Sequence, residues 1–161
     1  MELLYLKRPL FITTRHLCVR AWGCYEDHRM SRKKILVVED NEDNRHILVY
    51  RLRKIGDFDI LEAVDGQEAL DLIAQDPPDL MFLDLKLPIL NGWETARRIR
   101  AMPGPIRNLP IIALTAQAMV GDEEKALAAG CDDYIAKPIV DAKVVKEKIE
   151  RLLSLNRPGS P

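Results

Sequence analysis

Four places along the chain pair a buried-looking apolar run with a polar residue at its carboxyl end. Ile35-Leu36-Val37-Val38 runs into Glu39-Asp40, and Leu80-Met81-Phe82-Leu83 into Asp84. Ile111-Ile112-Ala113-Leu114 runs into Thr115, and Tyr134-Ile135-Ala136 into Lys137. Taken singly, each residue has an ordinary explanation: Asp84 as a turn cap, Thr115 as a strand residue, Lys137 as a solvated loop lysine. Taken together they supply three carboxylates, a hydroxyl and an ammonium. Carboxylates about 5 Å apart repel by roughly 3 kcal/mol per pair at an effective dielectric near 20. One lysine cannot neutralise three of them, so such a cluster asks for a hard divalent cation. All-oxygen ligands with room for water suit Mg²⁺ best, with Mn²⁺ possible and Ca²⁺ less suited. A carboxylate aimed at the cation beside a hydroxyl and an ammonium suits phosphoryl transfer. Metal and lysine offset the charge on the equatorial oxygens while the carboxylate attacks in line.

Whether these groups meet depends on the elements that carry them. Short continuous apolar runs bounded by turn residues read as strands buried on both faces, as in a parallel sheet covered by helices. Lys33 to Val38 is the first strand; Asn41-Glu42-Asp43-Asn44 then caps a helix whose apolar stripe is Ile47, Leu48, Leu52 and Ile55, stopped at Gly56. Phe58 to Ala63 is the second strand, and Gln67 to Ala74 a helix with Ala69, Leu70 and Ile73 inward. The third strand ends at Asp84, and a helix from about Trp93 to Ala101 follows; Pro103-Gly104-Pro105 is a loop. Leu109 to Thr115 is the fourth strand, with a helix within Ala118 to Ala129 ending at Gly130. Cys131 to Ala136 holds the fifth strand, and a helix over Asp141 to Leu153 buries Val144, Val145, Ile149 and Leu152. Five strand–helix repeats predict one α/β domain, a flavodoxin-like doubly wound parallel sheet in the order 2-1-3-4-5. All the strand-end residues then share one edge, with strands one and three adjacent at the topological switch point.

The composition, 47% apolar and 30% charged over 161 residues, is that of a globular protein with room for one domain. Residues 1–30 carry five Lys and Arg against three Asp and Glu, whereas 31–161 carry nineteen against twenty-two. An acidic folded part argues against a nucleic-acid surface. No stretch reaches the length of a membrane span, and Cys18, Cys24 and Cys131 are odd in number and widely spaced, so free thiols in a reducing cytoplasm are expected. His16, Cys18, Cys24 and His28 match no paired zinc spacing. The domain is expected over 31–155, with 1–30 a disordered extension or a non-native start ahead of Met30, and 156–161 a flexible tail.

At this point the chain resembles the receiver domain of two-component response regulators over about Lys33 to Leu153. The resemblance is carried by Val37-Val38-Glu39-Asp40-Asn41, Ala63-Val64-Asp65-Gly66, Pro78-Asp79-Leu80 through Asp84, Pro88 and Gly92, Leu114-Thr115-Ala116, and Tyr134-Ile135-Ala136-Lys137-Pro138. It implies that Asp84 accepts a phosphoryl group from a phosphohistidine or small phosphodonor. It implies that Glu39, Asp40 and Asp84 hold Mg²⁺ with the backbone carbonyl of Lys86, and that Thr115 and Lys137 bind the phosphoryl oxygens. A cis Lys137-Pro138 bond is implied as well, as is a switch in which Thr115 moves and Tyr134 rotates inward. A histidine kinase or phosphotransfer protein is the implied donor, with Asn44, Ile47, Leu48, Pro138 and Ile139 as contact candidates. The chain departs from a fixed pattern at Lys86 and Gln117, two residues after Asp84 and Thr115, which leaves the phosphoryl lifetime open.

With only eight residues of this sequence after Leu153, the expectation is a stand-alone receiver of cell-cycle or chemotaxis type, monomeric or weakly dimerising on phosphorylation, acting on a downstream protein. A receiver separated from a hybrid kinase is the alternative. An aspartyl-phosphate phosphohydrolase would use the same groups but needs a second Asp where Lys86 stands. A flavin-binding module would need a Ser-, Thr- or Gly-rich phosphate loop where Glu39 to Asp43 stand. The expected protein is not an enzyme beyond its own phosphorylation and dephosphorylation.

Overall fold

The computed structural model describes residues 32–116, 122–139 and 141–155, the side chains of 122 and 123 excepted. The expected extension 1–30 with its His and Cys residues, the position of Gln117, the first residues proposed for the fourth helix, and the tail 156–161 lie outside them. Five strands, β1 (Lys33–Val38), β2 (Phe58–Ala63), β3 (Leu80–Asp84), β4 (Ile111–Thr115) and β5 (Asp133–Ala136), alternate with five helices. These are α1 (Glu42–Ile55), α2 (Gly66–Gln75), α3 (Gly92–Ala101), α4 (Asp122–Ala128) and α5 (Ala142–Leu155). The strands form one parallel sheet in the order β2-β1-β3-β4-β5, as expected.

Successive side chains of a strand face opposite sides, and the apolar runs split accordingly. Leu36, Val38, Met81, Leu83, Ile111 and Ala113 pack with Ala69, Leu70 and Ile73 of α2, Ala96 and Ile99 of α3 and Ala126 of α4. Ile35, Val37, Leu80, Phe82, Ile112 and Leu114 pack with Leu48, Val49 and Leu52 of α1 and Val145, Ile149 and Leu152 of α5. Every residue of β3 and β4 is buried. That is why these strands lack polar alternation.

Two assignments of the apolar stripes need correction. Ile47 is 49% exposed and Val144 39% exposed, and Val49 is buried in α1 instead. A helix turns about 100° per residue. Ile47 therefore points well away from the face centred on Leu48, Leu52 and Val49, and Val144 away from that of Val145, Ile149 and Leu152. The segment after Pro103 is also more than a loop, since Pro105–Asn108 forms a 3-10 turn led by its proline. β4 begins at Ile111, two residues later than the expected start at Leu109, β5 lies within the expected Cys131 to Ala136, and α5 extends to Leu155.

The helix starts follow from short polar side chains. Asn41 accepts a hydrogen bond from Asn44 N (3.0 Å), Asp65 from Gln67 N (2.7 Å) and Glu68 N (2.9 Å), and Asn91 from Glu94 N (2.9 Å). Each satisfies amide groups that the first helical turn leaves unpaired. α1, α2 and α3 thus begin at fixed points on the carboxyl edge of the sheet. None of the described helices is long and apolar enough to cross a membrane.

Candidate functional site

Strand register brings the polar residues to one edge. Val38 pairs with Leu83, so Glu39 and Asp84 follow side by side at the ends of β1 and β3. Asp84 pairs with Leu114, which puts Thr115 one step beyond on β4, and Thr115 pairs with Ala136, which puts Lys137 next on the far side. Glu39, Asp84 and Thr115 are buried, at 2%, 5% and 5% exposure, while Asp40 is exposed.

The two buried carboxylates share one ammonium. Lys137 Nζ donates to Glu39 Oε2 at 2.5 Å and to Asp84 Oδ2 at 2.6 Å. The other Asp84 oxygen, Oδ1, accepts from the Lys86 amide at 2.9 Å. Glu39 Oε1 accepts from Asn44 Nδ2 at 3.0 Å. The Lys137 amide donates to the Thr115 carbonyl at 2.7 Å, tying the β5 end to β4, and the Lys137-Pro138 bond is cis. Buried charges are tolerable only when paired and hydrogen-bonded in this way.

One oxygen each from Glu39, Asp40 and Asp84 lies within 4.8 Å of the other two. Three anionic oxygens at that spacing, one of the residues open to solvent, form the donor set of a hard cation that keeps part of its water. The residues fit Mg²⁺.

The third wall of the site is backbone. Gly92 opens α3 directly over the end of β3. A Cβ there would lie 2.2 Å from the Asp84 carbonyl oxygen and 2.7 Å from Leu85 Cα. Only glycine permits this approach, and the Gly92 amide donates to the Leu85 carbonyl (3.2 Å), closing the loop beside Asp84.

Tyr134 stands apart from this cluster, opposite Ala113 on β5. It is half-buried and borders a cleft with Ile139, Val144 and Lys148, and Lys148 Nζ sits 5.5 Å from its ring centroid. Its neighbour Asp133 is buried and binds Lys148 (2.6 Å) and Arg151 of α5. The five partner-contact candidates do come together: Asn44, Ile47, Leu48, Pro138 and Ile139 line one cavity of about 120 Å³ with Glu39 and Lys137. Sequence reasoning missed the bond from Asn44 to Glu39 and the closeness of Gly92 to Asp84. A helical Asn five residues after a strand-end acid, and a Gly right after a helix cap, were the available signals.

The response regulator receiver domain family matches residues 35–150. Among relatives, the polar-differentiation response regulator DivK of Brucella anthropi is 38% identical over 66% of this chain and 85% of its own length. Among solved structures, the receiver domain of sensor histidine kinase PA1611 from Pseudomonas aeruginosa, which has a magnesium ion coordinated in its active-site cleft, is 35% identical with a TM-score of 0.70, over 77% of this chain and 99% of that one. The receiver domain of Saccharomyces cerevisiae Ssk1, crystallised with the histidine phosphotransfer protein Ypd1, is 34% identical with a TM-score of 0.68, over 77% of this chain and 90% of that one. The chain spans only 3% and 8% of the length of two hybrid signal transduction histidine kinases of Dictyostelium discoideum that it also matches. With its fold, its strand-end cluster and these likenesses in agreement, the chain belongs to the receiver domains of two-component response regulators.

Proposed function

We propose that Asp84 is the phosphoacceptor of this receiver, and that its phosphorylation controls a protein partner through the face formed by α4, β5 and α5. The observation that carries the reading is the placement of Lys137 Nζ between buried Asp84 and Glu39, with Asp40 completing a carboxylate triad. An Asp84 oxygen attacks the phosphorus of a phosphohistidine. The P–N bond breaks, its electron pair returns to the imidazole, and that nitrogen takes up a proton. Lys137 pairs with the transferring oxygens, and Thr115 donates its hydroxyl to one of them. Mg²⁺, or Mn²⁺ in its place, held by Glu39, Asp40, Asp84 and the Lys86 carbonyl, supplies charge neutralisation when bound. In the return reaction water attacks phosphorus, the P–O bond to Asp84 breaks, and phosphate leaves. The chain catalyses this on itself and turns over no separate substrate.

The donor is a histidine kinase or a histidine phosphotransfer protein, docking where Asn44, Ile47, Leu48, Pro138 and Ile139 border the site. The Ssk1–Ypd1 complex and the hybrid-kinase relatives support that class of partner. Added charge at Asp84 draws Thr115 toward it, and Tyr134 turns into the space left. The protein works in the cytoplasm, monomeric or weakly dimeric when phosphorylated, without nucleic acid or membrane. A receiver belonging to a hybrid kinase is the second reading, favoured by the long Dictyostelium relatives. A phosphohydrolase is disfavoured because Lys86, whose amide binds Asp84, stands where the second acid is needed. Phosphotransfer from radiolabelled phosphotransfer proteins tests the reading. Label should reach the chain in Mg²⁺ and not in EDTA; equal labelling in both would contradict it.

A further inference from the structure

The turn that carries Glu39 and Asp40 is braced from outside the carboxylate cluster. Arg45, in α1, is nearly covered, with 13% of its side chain exposed. Its Nη1 donates to the Glu39 carbonyl at 2.9 Å and, more loosely, to the Asp40 carbonyl at 3.5 Å. Its Nε donates to Glu62 Oε2 at 3.2 Å on the edge strand β2. One planar guanidinium thus links α1 to the Glu62 carboxylate on β2 and to the backbone carbonyls of the turn between β1 and α1. The fork geometry matters here, because the guanidinium donors are fixed in one plane, whereas the three donors of an ammonium rotate on a flexible stem.

We propose that Arg45 is the positioning residue of the carboxylate centre and sets its affinity for a divalent cation. The inference rests on the reading of Glu39, Asp40 and Asp84 as a metal site. Glu39 has its side chain fixed by Asn44 and Lys137. Asp40 is exposed, so its direction depends on the backbone of this turn, which Arg45 holds.

Two effects of Arg45 on the cation oppose each other. Its positive charge repels a metal ion, so removing it would tighten binding. Its hydrogen bonds orient the ligands, so removing it would loosen binding. The Glu62 carboxylate already offsets much of the guanidinium charge, whereas loss of a partner that orients metal ligands typically costs 10–100-fold in affinity. Orientation therefore wins, and the sign of the change separates the two effects.

The test is calorimetric titration of the full chain with MgCl₂ for wild type, Arg45→Met and Arg45→Lys. Arg45→Met should raise the Mg²⁺ dissociation constant by about tenfold. Arg45→Lys, which keeps the repelling charge and loses the fork, should raise it at least as much. Circular dichroism checks that each variant is folded; if Arg45→Met is not, Arg45→Lys decides by the same criterion. A folded variant that binds Mg²⁺ as tightly as wild type, or more tightly, overturns the inference and leaves the metal site standing. Wild-type protein that binds no Mg²⁺ overturns the metal reading itself.

Discussion

Lys137 Nζ lies 2.6 Å from Asp84 Oδ2, although 53 residues separate the two in the chain. The same nitrogen lies 2.5 Å from Glu39 Oε2. One ammonium therefore holds two buried carboxylates at the ends of neighbouring strands. Removing it leaves both anions close together in a poorly solvated place. Breaking a buried ion pair from one side typically costs 3–5 kcal/mol. In EDTA, Lys137→Met should thus lower the unfolding free energy by about 3 kcal/mol in urea titrations. Part of that deficit should return in Mg²⁺. An unchanged midpoint in EDTA would show that the lysine does not offset this charge.

Gly92→Ala tests how closely α3 presses on the strand that ends in Asp84. The new methyl would meet the Asp84 carbonyl and Leu85 Cα, both backbone, so neither can swing aside. Overpacking of this kind costs about 1–3 kcal/mol. Stability should fall by that amount, and phosphorylation of the folded variant by a small phosphodonor should slow. Wild-type rates would mean that Asp84 does not depend on this approach.

Mg²⁺ should stabilise the folded chain, since the three carboxylates converge only there. At a concentration a hundred times the dissociation constant the gain is about 2.7 kcal/mol. Asp40→Asn removes one of three anionic ligands and should shift the Mg²⁺ dependence of the melting temperature to higher concentration. Superimposable curves for the two proteins would exclude Asp40 from the metal site.

Cys131 offers a pH signature away from the site. Burial pushes its thiol up from 9.0 to about 11, against a smaller lowering by Arg100. A raised folded value means that the neutral thiol is favoured in the folded state. Its contribution is complete below pH 9 and lost as pH rises toward 11, amounting to about 2–3 kcal/mol at 1.36 kcal/mol per unit. Wild type should therefore lose more stability than Cys131→Ala between pH 9 and 11, and parallel curves would contradict the burial argument.

The sheet order and the strand-end cluster were legible because both rest on patterns of several residues. An apolar run followed by a polar end recurs four times, and parallel crossovers leave little choice of which edge the ends share. Single-residue orientation was less legible. Ile47 and Val144 are apolar and adjacent to buried residues, and hydrophobicity alone does not say which side of the helix stripe they fall on. The supports of the site were the least legible part. Asn44 reads as a helix-start residue and Arg45 carries no motif, and only the turn after β1 brings the first to the Glu39 carboxylate and the second to the Glu39 carbonyl. Gly92 is similar, since its requirement comes from a strand that precedes it in the chain and lies beneath it in the fold.

The central claim is that Asp84 carries the phosphoryl group, and mass spectrometry tests it most directly. Wild type and Asp84→Asn are incubated with a phosphorylated histidine phosphotransfer protein in Mg²⁺, and the modified peptide is mapped. The account predicts one phosphoryl group per wild-type chain, on the peptide containing Asp84, and none on Asp84→Asn. Asp84→Asn labelled to the same extent as wild type would contradict it.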